Sequence, residues 1–226
     1  MKKLTKLKRA NMAVIDRPQG GLSKTSKMPC YSWNLDPRLC RIGSLLRPIR
    51  GSVCHKCYAL KGMYVFKVVR EAAARRLQGL QHSDWVPSMV YLINHYSPKV
   101  FRWFDAGDLD SLETLEKIVA VALATPTTRH WLPTREASTV NKYLATRGPF
   151  PDNLAVRLSS ARIDGPVPDD HKNPNGLAVS SVATDSATAH ELYPNAYVCP
   201  SLAQQGKCAD CRACWDPQQN IVYLAH

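Results

Sequence analysis

Apolar side chains recur at helical spacing in four stretches of the chain. Over 65–81, Val68, Val69, Ala72, Ala73, Leu77 and Leu80 share a face, while Arg70, Arg75 and Arg76 lie elsewhere. Over 84–96, Val86, Met89, Val90 and Ile93 repeat the pattern behind Ser83, a candidate cap. Over 110–124, Leu112, Leu115, Ile118, Val119 and Ala122 form a stripe, and Asp110 and Glu113 stand at capping-box spacing. A fourth helix is predicted over 136–146, stopped by Gly148 and Pro149. Between and after these helices, β-branched, aromatic and apolar residues predict strands over 99–104, 128–132, 153–160, 177–183 and 196–199. Residues 161–176 read as a polar, proline-containing loop. Residues 28–60, broken by Pro29, Pro37, Gly43, Pro48 and Gly51, read mostly as loops.

Strands that alternate with helices at intervals of roughly 25 residues predict βαβ units around a parallel sheet, an α/β fold. Such sheets carry their chemistry at the carboxyl ends of the strands. Those ends hold Asp105, Gly107 and Asp108, then Thr134, Arg135 and Glu136, then Ser159, Ser160 and Arg162, then Ser181, Thr184 and Asp185. Cys199 ends the last strand, which predicts that the cysteines beyond it hang from the functional face. Three parts are expected: a basic, partly mobile arm over 1–28, an α/β domain over 29–198, and a cysteine-rich segment over 199–226.

The eight cysteines form two groups of four. Cys199, Cys208, Cys211 and Cys214 are separated by eight, two and two residues, and Cys30, Cys40, Cys54 and Cys57 lie near the start. Four thiolates are the complement of one structural metal or one iron–sulfur cluster. Thiolates in successive two-residue steps with a distant fourth suit a 4Fe–4S cluster. Zinc, which more often takes two separated Cys-x-x-Cys turns, is the alternative. His55 is read as a neighbour of the ligands and not as one of them. No secretory signal precedes the cysteines, so reduced thiols in the cytoplasm are expected over disulfides.

The formal net charge of +12 makes nucleic acid a candidate partner, with Lys2, Lys3, Lys6, Lys8 and Arg9 of the arm as phosphate contacts. No apolar run is long enough to span a bilayer, so a membrane role is not expected. Among charged groups at strand ends, Asp105, Asp108, Arg135 and Glu136 are the candidates for catalysis. Their structural alternatives are a helix cap for Asp108, and a salt bridge or helix-start carboxylate for Arg135 and Glu136.

Several runs resemble the phage gene product 88 family. They are Met28-Pro-Cys-Tyr-Ser-Trp33, Cys57-Tyr-Ala-Leu-Lys-Gly-Met-Tyr64 and Phe101-Arg-Trp-Phe-Asp-Ala-Gly-Asp108, then Trp131-Leu-Pro-Thr-Arg-Glu136, Val156-Arg-Leu-Ser159 and Gly206-Lys-Cys-x-x-Cys-x-x-Cys-Trp215. More loosely, Cys-x-x-Cys-Tyr-Ala followed by Gly-Asp and Thr-Arg at successive strand ends is similar to a reduced radical S-adenosylmethionine barrel. That likeness implies an incomplete (β/α) barrel-like parallel sheet with loop-rich cysteine segments at both ends. It also implies a cluster held by three cysteines with one iron open to S-adenosylmethionine. Position 50 is Arg50 where that family's first cysteine would stand. Cys30 is expected to join Cys40, Cys54 and Cys57 and close the cluster. The expected function is therefore an iron–sulfur protein with one or two clusters and a redox or radical role. The alternative is a zinc-stabilised nucleic-acid-binding module without catalysis.

Overall fold

The computed structural model describes residues 21–97 and 99–225. Its centre is an eight-stranded sheet in the order β1-β2-β3-β4-β5-β6-β8-β7. The strands are β1 (Ser23–Lys24), β2 (Tyr31–Trp33), β3 (Val100–Trp103), β4 (Arg129–Thr134), β5 (Leu154–Ile163), β6 (Val179–Ala183), β7 (Tyr197–Val198) and β8 (Ile221–Leu224). All neighbours are parallel except β1, which pairs antiparallel with β2. The sheet does not close, and its edges are β1 and β7. It is the incomplete, barrel-like α/β arrangement expected.

Alternation along the strands gives the sheet two unlike faces. Trp33, Phe101, Trp103, Leu132, Val156 and Leu158 point to one side and join the main core. The helices bury their stripes there: α2 (Lys67–Leu80), α3 (Trp85–Tyr96), α4 (Leu112–Ala124) and α5 (Ala137–Arg147). Leu80, Trp85, Met89, Leu92, Ile93, Leu115, Ile118 and Val140 carry that packing. The residues between them in the strands, Arg102, Trp131 and Arg157 among them, face the opposite side. No α-helix covers them among the described residues. That side receives the C-terminal cysteine loop.

Helix starts differ from expectation in two places. Ser83 does not cap α3; Asp84 holds the cap position, without a side-chain bond to the helix. Asp110 does not cap α4; Ser111 does, its hydroxyl accepting from the Thr114 amide at 3.1 Å. A serine adjacent to the expected position does the same chemistry one residue later. Gly148, with φ of 93°, ends α5 as expected.

Short elements escaped the periodicity argument. The segment read as loop holds β2 and α1 (Arg41–Leu46), and α6 (Ser186–Leu192) was likewise unforeseen. The polar loop begins later than expected, because β5 runs on to Ile163 after a register shift. The arm expected over 1–28 is anchored at its far end. Ser23 and Lys24 form β1, the Arg76 Nε donates to the Gly21 carbonyl at 2.5 Å, and Leu22 packs on the core. Residues 1–20 lie outside the described residues. The cysteine-rich segment over 199–226 ends in β8, which inserts between β6 and β7.

His130 is fully buried in β4, stacked on Trp103 at a centroid distance of 6.0 Å, with Nε2 2.8 Å from the Thr125 hydroxyl. Burial lowers its pKa from 6.5 to about 4. The unfolded chain therefore takes up a proton before the folded one as the pH falls. The stabilisation is complete above about 6.5 and is lost as the pH drops through the window down to about 4. The expected loss is roughly 3 kcal/mol across that window. Urea unfolding at neutral and acid pH should show it, and His130→Gln should flatten the dependence. An unchanged pH dependence in that variant would contradict the assignment.

Candidate functional site

The C-terminal thiol loop is fastened to the helix-free face by two residues. Trp215 is buried against Trp131, rings 5.4 Å apart, and its Nε1 donates to the Phe101 carbonyl at 2.8 Å. Arg157, 0% exposed, donates to the carbonyls of Gln219, Asp216 at 2.8 Å and Cys214 at 3.4 Å. One guanidinium thus gathers the backbone that follows the last cysteine. Upstream, the Cys199 amide donates to the Val222 carbonyl at 2.8 Å, and the Cys208 amide donates to the Lys27 carbonyl at 3.0 Å. The Cys211 amide closes a turn on the Cys208 carbonyl at 2.9 Å. Cys214 Sγ shares a 3.2 Å hydrogen bond with Tyr223, and Cys211 Sγ lies 3.7 Å from the Tyr197 hydroxyl.

Cys30 belongs to this same region. It packs with Val100, Trp131 and Trp215, and Cys214 borders the cluster. The charged or ionisable groups that act on it are Arg102, Cys208 and Arg212. Arg102 lies over the Trp131 ring at 4.3 Å and also acts on Cys208 and Cys214. Arg157 acts on Cys214. Neither Arg102 nor Arg157 makes an ion pair among the described residues. Burial pushes the Cys30 thiol up to about 12 and Cys214 to about 11, so both carry their protons in the bare protein.

The other thiols gather at the carboxyl end of the sheet. The turn carrying Cys54 and Cys57 is stitched to the extension of β5, with the Val53 amide donating to Ala161 at 3.0 Å and the Ile163 amide donating to Gly51 at 2.9 Å. Cys40 precedes α1, whose Gly43 fits between thiols. A Cβ there would stand 2.9 Å from the Cys40 Cβ and 3.7 Å from the sulfurs of both Cys40 and Cys54. Cys54 and Cys57 act on the Cys40 thiol, and burial is the largest cause of its rise to about 12.

Asp108 and Arg135 act on both Cys40 and Cys54. Asp108 does not cap a helix. Its Oδ1 accepts from the Thr134 hydroxyl at 2.5 Å and the Leu109 amide at 2.8 Å, and its Oδ2 accepts from the Arg135 amide at 2.9 Å. The Glu136 side chain makes no capping bond to α5, and the residue is 1% exposed. Its Oε1 accepts from the Ile42 amide at 3.0 Å, tying the helix after Cys40 to β4, and its Oε2 is buried without a hydrogen-bond partner. Its ion-pair neighbour is Arg41 at 4.0 Å and not Arg135.

Asp105 is separate in role. Its Oδ1 accepts from Ser32 at 2.7 Å and Asn34 at 2.9 Å, its Oδ2 from the Tyr64 hydroxyl at 3.0 Å, and its carbonyl from the Tyr58 hydroxyl. Every oxygen is satisfied by groups that fix β2 and the segment after Cys57 against β3. Between Asp105 and Asp108, Gly107 takes φ of 78°, and a Cβ would sit 2.6 Å from the Leu35 carbonyl oxygen.

The fold therefore divides the thiols three and five, not four and four. Cys30 was expected to complete a set with Cys40, Cys54 and Cys57; instead it stands just before β2, with Cys208 and Cys214 as its thiol neighbours. Cys30 enters that strand, and the chain reaches Cys40 only after leaving its other end. Three strand residues alone span about 10 Å. Beyond Cys199 the second set lies across the helix-free face, so it does not simply hang from the carboxyl rim. Among the described residues, no three Cys, His, Asp or Glu side chains converge closely enough to hold one metal ion. Pattern reading missed Arg102, Arg157, Trp215 and Tyr223. The arginines did leave a signal, a cation inside each of two apolar strand runs, Val-Phe-Arg-Trp-Phe and Ala-Val-Arg-Leu.

No helix of the described residues is long and apolar enough to cross a membrane. No curated protein and no solved structure matches this chain. The family model described as gene product 88 matches residues 5–217, nearly the whole length, and the chain belongs to that family.

Proposed function

We propose that this protein is an iron–sulfur protein carrying 4Fe–4S-type clusters on an open α/β sheet. The carrying observation is the pair Arg102 and Arg157, cations turned into a covered face with thiols beside them and, among the described residues, no carboxylate in ion-pair contact; Asp105 acts on Arg102 and Asp216 on Arg157 only from beyond that distance. A buried cation is costly unless countered. Thiolates bound to a cluster carry net negative charge and would supply that counter-charge. Cys199, Cys208, Cys211 and Cys214 would hold the cluster, with Cys30 at its margin. Arg157 and Trp215 fix the loop, and Trp131 and Trp215 keep water from one side of it. When bound, the cluster would supply one-electron chemistry.

Cys40, Cys54 and Cys57 would hold the second cluster, with Arg135 supplying the opposing charge. Three thiolates leave one coordination position to a group other than cysteine, and Glu136 and Asp108 border that region. S-adenosylmethionine is the ligand that the barrel resemblance suggests for this position. Its binding would shift the electron paramagnetic resonance spectrum of the reduced wild-type protein.

Anaerobic purification followed by iron, acid-labile sulfide and zinc analysis tests the reading. Brown protein with iron and sulfide in similar amounts is expected. Colourless protein holding stoichiometric zinc would replace this reading with the zinc-stabilised module.

A further inference from the structure

The chain's charge is unevenly placed. Residues 37–76 hold ten of the 30 Lys and Arg against a single carboxylate, Glu71, whereas residues 77–226 hold 12 against 15 carboxylates. This basic stretch forms one continuous layer around the three-cysteine group. The short 3-10 turn Pro37–Leu39 touches α1 and the turn Tyr58–Leu60, which touches the turn Gly62–Val65, which in turn touches α2.

Two kinds of side chain are exposed together on the layer. The cations are Arg41, Arg50, Lys56, Lys61, Lys67 and Arg70. Among the described residues Arg50, Lys56, Lys61 and Arg70 form no ion pair. The others are apolar: the aliphatic Leu39, Leu45, Ile49 and Val68, then Met63, 72% exposed, and Phe66 and Tyr58, each 56% exposed. The Tyr58 ring is held in place although the residue is exposed, because its hydroxyl is anchored on the Asp105 carbonyl and its ring meets Tyr64 at a centroid distance of 5.7 Å. Cations interleaved with open rings match a polyanion that also carries flat apolar faces.

We propose that this layer docks a single strand of nucleic acid, with phosphates on Arg50, Lys56, Lys61 and Arg70 and bases against Tyr58 and Phe66. A second copy of the chain fits less well, since the layer would meet like charge or the weakly acidic remainder. The chain's own first 20 residues are also basic, so charge does not favour them as its cover. A duplex offers phosphates but keeps its base faces stacked away, which leaves the exposed rings without a role. The proposal needs the layer's shape and charge, and does not rest on which metal the thiols hold.

The test is fluorescence anisotropy with a labelled oligothymidylate of about 20 nucleotides, competed by a duplex of the same length. With about four phosphates engaged, log affinity should fall with log salt at a slope near −3, which weakens binding about 60-fold between about 50 and 200 mM salt. Phe66→Ala should weaken binding about tenfold and leave the slope unchanged, since it removes stacking and no charge. Lys56→Glu with Lys61→Glu should weaken binding at least tenfold and make the slope shallower. Lys56 lies between Cys54 and Cys57, so Lys61→Glu with Arg70→Glu, outside that turn, checks the charge effect with the turn intact. Each variant is compared at wild-type metal content, so a failed surface and a failed cluster give different results. Absence of binding at low salt, duplex binding as tight as single-strand binding, or wild-type affinity in both Phe66→Ala and the charge variants would each overturn the proposal.

Discussion

Arg157→Met is expected to destabilise the protein by about 3 kcal/mol or more and to release metal from the C-terminal thiols while sparing the other group. Methionine fills much of the volume but donates nothing. The Gln219 carbonyl would lose the guanidinium as its donor, and the Asp216 carbonyl would keep only the Gln219 amide at 3.4 Å. Each such loss costs about 1–3 kcal/mol. The loop these carbonyls belong to starts at Cys214 and leads into β8, a strand with neighbours on both sides. Charge adds a second loss, since Arg157 acts on Cys214. Urea unfolding and metal content should fall together. A variant with wild-type stability and full metal content would show that Arg157 is neither clamp nor counter-charge.

Cys40→Ala and Cys30→Ala are expected to behave differently, and the contrast is the second large effect. Cys40→Ala should remove about half of the bound iron and loosen the segment between Cys40 and Cys57, because ligand bonds supply folding energy to loops of this kind. Cys30→Ala should leave the metal of that group in place. Its effects should appear instead at the C-terminal group, where Cys208 and Arg102 are its neighbours. Iron content and the electron paramagnetic resonance of each reduced variant give the readout. If Cys30→Ala and Cys40→Ala lose the same signal, the division of three and five is wrong.

The long elements were legible because their residues repeat with a single period. The stripe from Leu112 to Ala122 admits only a helix, and the alternation with strands admits only a largely parallel sheet. Short elements were not legible, since β2 has three residues and no period to read, and tertiary pairing with β3 makes it a strand. That one omission also misplaced Cys30. Only nine residues separate it from Cys40, but a strand between them sends the two thiols to different ends of the sheet. The two groups of cysteines were plain in the spacing, whereas their membership was a property of the fold. The catalytic candidates fared unevenly for the same reason. Asp108, Arg135 and Glu136 do meet beside Cys40, because successive parallel strands bring their carboxyl ends together. Asp105 leaves the same strand but is used up by Ser32, Asn34 and Tyr64, partners no local pattern could name.

The most direct measurement of the central claim is anomalous diffraction at the iron edge from crystals grown without oxygen. Two separate iron peaks are expected. One should lie among Cys40, Cys54 and Cys57 beside Asp108 and Arg135. The other should lie among Cys199, Cys208, Cys211 and Cys214, facing Arg102 and Arg157. No iron at either place, or a peak that Cys30 shares with Cys40, would contradict the account.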